Sequence, residues 1–230
     1  MIATLTSCWL GFLIGLRHAL EPDHLAAVST LIVEQPRIRR AAFLGTCWGL
    51  GHSLSLLAVG GGLLAWRLRL PEVWVDRFEL AVAVLLIGLG VRSILWSLRA
   101  GRDGGSAPHS HGGILHAHAG VSDHFHISSL TVARRPFLVG IAHGLAGTGA
   151  ITALAMASMP GTISAIAYLA LFGLGALAGM SLLTGLAGVA MLQLAYSPRA
   201  RSVLAGGVGV FSVLLGVFWG GPILFRLLPQ

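Results

Sequence analysis

The chain contains no lysine, only two cysteines, and eight acidic residues among 230. Charged residues make up 10% of it, too few to solvate the surface of a soluble domain of this length. Cys8 and Cys47 both fall in apolar stretches, where cysteine serves as a small packing residue, and two of them define no disulfide framework. HExxH, the helical zinc-peptidase pattern, is missing, and so are the phosphate-gripping GxxxxGK[ST] loop and the GxSxG nucleophile elbow. Zincin, P-loop ATPase and serine-hydrolase chemistry are therefore not expected, and the chain reads as a non-enzyme.

Hydrophobic residues make up 55% of the chain, with a mean hydropathy of +0.83. That composition fits a polytopic all-α integral membrane protein with the lipid bilayer as its first partner. The N-terminal MIATLTSCWLGFLIGL has no basic n-region, so it reads as the start of a span and not as a removed signal peptide. The net charge of +7 comes entirely from arginine. Those arginines flank apolar spans, which points to membrane topology and away from nucleic acid.

A crossing needs about 20 apolar residues, and six candidates appear: 3–33, 41–65, 78–98, 136–158, 161–194 and 203–227. Arg37, Arg39, Arg40, Arg99, Arg102, Arg134, Arg135, Arg199 and Arg201 lie on one side of this arrangement. Arg67, Arg69, Arg77 and Arg226 lie on the other, partly matched by Glu72, Asp76 and Glu79. The positive-inside rule then puts the 1–2, 3–4 and 5–6 loops in the cytoplasm and both termini outside.

The two halves resemble each other. GLRHALEPDHLAAVSTL at 15–31 lays over GIAHGLAGTGAITALAM at 140–156, matching His18 with His143. WGLGHSLSLLAVGG at 48–61 matches FGLGALAGMSLLTG at 172–185, and LLIGLGVRSILW matches LLGVFWGGPILF. Three matches in the same order predict two three-helix repeats, 1–99 and 134–230, inverted across the membrane and joined by a cytoplasmic segment, 100–133. Gly, Ser and His dominate that segment, which is expected to be a pliable loop.

Ten histidines in so apolar a chain are its main anomaly. Arg17, His18, Glu21, Pro22, Asp23 and His24 crowd into eight positions inside the first span. Ionisable groups in lipid cost about 2.5–3.5 kcal/mol each on insertion scales, so such a cluster needs a function. His18, Asp23 and His24 do not share one face of an unbroken helix. Pro22 lacks an N–H and its ring meets the carbonyl four residues back, so it breaks the first helix and lets the three converge. Imidazoles with carboxylates suit Ni, Co, Zn or Cu; the alternative is a buried polar network locking span 1 to its neighbours. Arg17 reads as a structural counter-ion. Glu21 is a ligand, a proton acceptor or the partner of Arg17. His52 in GLGHS and His143 in AHGLAGTG are further intramembrane candidates, each either a ligand or a hydrogen-bonded core residue. His109/His111, His116/His118 and His124/His126 form three His-x-His pairs in the loop, suited to buffering or sensing metal if they are more than a solvated linker.

At RHALEPDHLAAVSTL the chain resembles the nickel/cobalt transporter family, whose signature is RHAxDADHI; Arg17, His18, Ala19, Asp23 and His24 match it. WGLGHSLSLL is similar to that family's second histidine motif and carries over His52. Glu21, Pro22 and Leu25 depart from the signature, and HGLAGTGA stands where the importers carry LGFDTATE. Six spans in place of the importers' eight are more similar to the urease-accessory-like and efflux-type branches. The resemblance implies secondary transport of Ni²⁺ or Co²⁺, as substrate and not as a resident cofactor, through a bacterial inner membrane. The expected site is His18, Asp23, His24 and His52, with Glu21 and His143. Two other readings fit the same residues: a small-anion exporter built on Arg17 and Arg92, and a membrane-embedded metalloenzyme or accessory protein that holds metal without moving it. Homo-oligomers and metalloenzyme-maturation partners are compatible with each.

Overall fold

The computed structural model describes residues 2–32, 38–102, 109–111, 114–116, 124–127, 130–194 and 197–228. The first apolar run is split, as its length and Pro22 require. Helix α1 (Ile2–His18) ends at a three-residue turn, and α2 (Pro22–Ile32) starts afresh with proline in its first turn. Helix α3 (Ile38–Ser55) continues through a π-helical turn (Leu56–Gly60) into α4 (Gly61–Ala65), forming one crossing. The chain then reverses through Arg67, whose φ of 53° is left-handed. Helices α5 (Glu72–Arg102), α6 (Arg134–Ser158), α7 (Thr162–Leu194) and α8 (Pro198–Leu227) follow. Ser197 caps α8 by accepting from the Ala200 N–H at 3.1 Å.

Among the described residues, five helices are long and apolar enough to cross a bilayer. The 17-residue α1 reaches only about 26 Å at 1.5 Å per residue, short of the hydrocarbon thickness. Five candidate spans therefore stand among the described residues where six were expected, and the first apolar run is divided between α1 and α2. Large apolar side chains cover the outer surface: Ile163 is 86% exposed, Phe218 82% and Val203 75%. In water such a surface is a liability, whereas in lipid it is the solvated face.

The described residues of the 100–133 segment include four short strands. Strands β1 (His109–His111) and β2 (Ile114–His116) pair antiparallel, with His109 opposite His116. Strands β3 (His124–Ile127) and β4 (Leu130–Ala133) form a second hairpin that runs directly into α6. Alternation with period two, and Ile, Thr and Val at several positions, favour strands over coil here. Outside these hairpins the regular structure is helical.

Two groups of helices carry the packing. Antiparallel α5 and α8 are stitched by hydroxyls: Ser93 donates to the Ala205 carbonyl at 2.8 Å, Ser212 to that of Leu86 at 2.8 Å, and Ser97 and Ser202 donate to each other's carbonyls at 2.6 and 2.7 Å. The second group is a bundle in which α7 packs on α1 and α3, and α3 packs on α6. Glycine sets its spacing. A Cβ on Gly15 would overlap the Phe172 carbonyl, and one on Gly140 the Trp48 carbonyl. Gly175 lies equally close to Phe12, and Gly51 to Phe137. Approach of this kind lets dispersion between backbones replace the hydrophobic effect that lipid cannot supply.

Candidate metal centre

The break in the first span builds the centre. In a continuous helix the His18 carbonyl would accept from residue 22, which has no N–H. The Glu21 N–H takes that carbonyl instead at 3.0 Å, and the Leu20 N–H takes the Arg17 carbonyl at 2.9 Å. The tightened turn redirects the chain, so Asp23 and His24 open α2 close to His18 at the end of α1. A carboxylate in the first turn of α2 is also favoured by the helix dipole.

Two further helices complete the ring. His52 comes from the middle of the α3 rod and His143 from α6. Its neighbour Gly144 lies against the His52 carbonyl, which brings α6 close enough for the His143 ring to reach His24. Ring centroids lie 4.6 Å apart for His18–His24, 5.2 Å for His18–His52, 5.6 Å for His24–His52 and 5.2 Å for His24–His143. The indole of Trp48 stacks on His24 at 5.2 Å, and Phe172 of α7 packs against His18 at 5.3 Å.

The hydrogen bonds assign the tautomers, because carboxylate and carbonyl oxygens only accept. His24 Nδ1–H donates to Asp23 Oδ1 at 2.9 Å, His18 Nδ1–H to Glu21 Oε1 at 2.8 Å, and His143 Nδ1–H to the Val139 carbonyl at 3.0 Å. Each Nε2 is left with a lone pair. Among the described residues the Nε2 atoms of His18, His24 and His143, both nitrogens of His52 and Nε1 of Trp48 are buried without a hydrogen-bond partner. An unpartnered buried polar group costs about 1–3 kcal/mol, so a cluster of them is not a stability feature. Histidines held at Nδ1 by carboxylate or carbonyl, with Nε2 bare, are the arrangement that metal-ligating imidazoles adopt.

The ligand atoms of His18, His24 and His52 lie within 4.8 Å of one another, as do those of Glu21, Asp23 and His24. Tetrahedral coordination with bonds of about 2.05 Å needs donors about 3.3 Å apart, so an ion there would require the ligand atoms to draw together. His143 Nε2 stands 3.9 Å from Asp23 Oδ2, beside both sets. A cavity of about 690 Å³ opens onto them, lined by Arg17, His18, Glu21, Asp23, His24 and His143 and also by Glu79 and Trp219.

Every helical residue singled out as a metal ligand thus falls at one place, with Glu21 exposed at its rim, whereas Arg92 lines a separate pocket with Arg99. One pairing differs from expectation. Glu21 bonds His18, not Arg17, and Arg17 makes no ion pair among the described residues. The backbones of His109, His111, His116, His124 and His126 lie in the hairpins, and His118 lies outside the described residues. Trp48, Phe172 and Glu79 escaped sequence reading. Trp48 precedes His52 by four residues, one helical turn, a spacing that marks a shared face. Glu79 was absorbed as a countercharge to nearby arginines.

Comparison with known proteins agrees with this chemistry. The family described as NicO, high-affinity nickel-transport protein, matches residues 4–230. The chain is 31% identical over 212 residues to the urease accessory protein UreH of Bacillus sp. (strain TB-90), covering 91% of this chain and 88% of that one. It is 28% identical over 229 residues to the Arabidopsis thaliana chloroplast protein FOR GROWTH AND FERTILITY 2, covering 94% of this chain and 58% of that protein. No solved structure matches. The nickel/cobalt resemblance carried by RHALEPDHL is borne out: the chain, a multi-pass membrane protein and not an enzyme, belongs to the NicO family of nickel-transport proteins.

Proposed function

We propose that the chain is a secondary permease for Ni²⁺ or Co²⁺, which the convergent imidazoles bind near the bilayer midplane during passage. One observation carries the reading: His24, His52 and His143 are buried and His18 is partly buried within a single cluster, each with a buried, unpartnered ring nitrogen. Neutral imidazole with nearby carboxylate is the donor set that such ions prefer. Asp23 and Glu21 orient two of the rings and supply negative charge.

Six crossings in two inverted repeats, 1–99 and 134–230, fit the packing. The alignment of His18 with His143 also lays Gly15 over Gly140 and Phe12 over Phe137. That of the second spans lays Trp48 over Phe172 and Gly51 over Gly175. Gly15 on Phe172 and Gly140 on Trp48 are then one contact made twice, and so are Gly51 on Phe137 and Gly175 on Phe12. The repeats are interleaved, since α1 packs on α7 and α3 on α6. Rocking one repeat against the other would open those seams. The α5–α8 pair moving against the bundle of α1, α3, α6 and α7 leaves them closed and varies the cavity between the two groups. In the inner membrane, with termini outside and 100–133 in the cytoplasm, the loop histidines chelate metal on the cytoplasmic side.

The name of the UreH relative favours one second reading, an accessory protein that holds metal for a maturing enzyme. Flux separates the two. Purified protein in sealed liposomes with a metal-sensitive dye inside should show saturable Ni²⁺ or Co²⁺ uptake that His24→Ala abolishes. Stoichiometric metal retention without flux would select the accessory reading instead.

A further inference from the structure

Three of the chain's eight acidic residues, Glu21, Asp23 and Glu79, line the one cavity described above. Arg17 is the only arginine in that lining. With the imidazoles neutral, three carboxylates against one guanidinium leave two net negative charges, the amount a divalent cation cancels. Two of the carboxylates are committed to rings, Glu21 to His18 and Asp23 to His24. Glu79 is not. It is half-buried on α5 and lines the cavity together with Trp219 of α8.

Its neighbourhood keeps it available. Asp76, one turn earlier on α5, takes both Nη2 and Nε of Arg226 in α8, at 2.7 and 3.4 Å. That guanidinium also lies within electrostatic reach of Glu79, but its hydrogen bonds go to Asp76. The unpartnered Nε2 atoms of His24 and His143, both residues 2% exposed, belong to lining residues of the same cavity. From this placement we infer that Glu79 is the carboxylate that receives the divalent cation on the α5–α8 side of the cavity before the imidazoles take it. The inference rests on the transport reading, and it makes the Asp76–Arg226 pair the element that keeps the receiving carboxylate free.

The test is the dependence of flux on Ni²⁺ concentration in proteoliposomes. Wild type, Glu79→Gln, Glu79→Asp, Asp76→Asn and the double variant Asp76→Asn/Arg226→Gln are compared, with His24→Ala as the blank. Losing one charge-assisted contact should raise the half-saturating Ni²⁺ concentration about tenfold in Glu79→Gln, with maximal flux kept within about twofold. Glu79→Asp should fall between that variant and wild type. Asp76→Asn should shift the same way, by releasing Arg226 onto Glu79, and adding Arg226→Gln should reverse the shift. An unchanged half-saturating concentration in Glu79→Gln overturns the assignment, and so does a fall in maximal flux alone, which is the signature of a structural role. Absence of flux in wild type overturns the transport reading itself. Equilibrium Ni²⁺ binding then decides on Glu79: affinity equal to wild type in Glu79→Gln refutes it, and an approximately tenfold weakening supports it.

Discussion

Replacing His52 by leucine should stabilise the metal-free protein while removing its function. The imidazole is fully buried, and neither ring nitrogen has a partner. Each unpartnered group costs about 1–3 kcal/mol, toward the low end in lipid, where the unfolded chain also finds partners. Leucine has similar volume and no polar atoms, and any overpacking against His18 and His24 returns about 1 kcal/mol. The net expectation is a metal-free variant more stable than wild type by about 1–3 kcal/mol. Metal reverses the order. At a hundredfold excess over its dissociation constant, Ni²⁺ stabilises a protein that binds it only when folded by about 2.7 kcal/mol. The variant, one ligand short, should gain far less. Unfolding in detergent micelles, followed by thermal or denaturant titration with and without Ni²⁺, reads both numbers. If metal-free His52→Leu unfolds earlier than wild type, His52 is a satisfied core residue and the reasoning fails. If Ni²⁺ shifts both proteins equally, His52 is not a ligand.

Other outcomes follow from the same geometry. Gly140→Ala and Gly15→Ala place a methyl into a facing carbonyl, so each should lose about 1–3 kcal/mol in the same unfolding assay. Gly88→Ala on α5 meets open space and should gain up to about 1 kcal/mol from helix propensity. Asp23→Asn keeps a group beside His24 but loses the charge that orients Nδ1–H, so Ni²⁺ affinity by equilibrium dialysis should fall about 10–100-fold. Imidazoles ligate only when neutral, and each must shed its proton to bind. Ni²⁺ affinity should therefore fall as pH is lowered from 8 to about 5, and a flat profile would argue against a histidine site.

What could be read from the chain in order was whatever local chemistry imposes. Absent lysine and sparse acid left a membrane protein, and apolar run lengths located the five candidate spans, though not every end of them. Pro22 marked the break, because a missing N–H acts only on the turn in which it sits. The RHALEPDHL motif carried the family, since its candidate ligands lie within one segment. Convergence was not legible. That His52 and His143 meet His24 depends on how closely α3 and α6 approach, and Gly140 and Gly144 set that distance through contacts with Trp48 and His52 about ninety residues away. The choice of His18 over Arg17 as partner for Glu21 was equally hidden, because i+3 and i+4 neighbours both sit within reach of a helix end until the turn after His18 is tightened. Glu79 looked like one more countercharge in a row of arginines. Only the tertiary structure makes it line one cavity with His18, His24 and His143 while Asp76 pairs with Arg226. Composition and periodicity act along the chain and survive in the sequence, whereas a site assembled from four helices exists only at the distances their small residues permit.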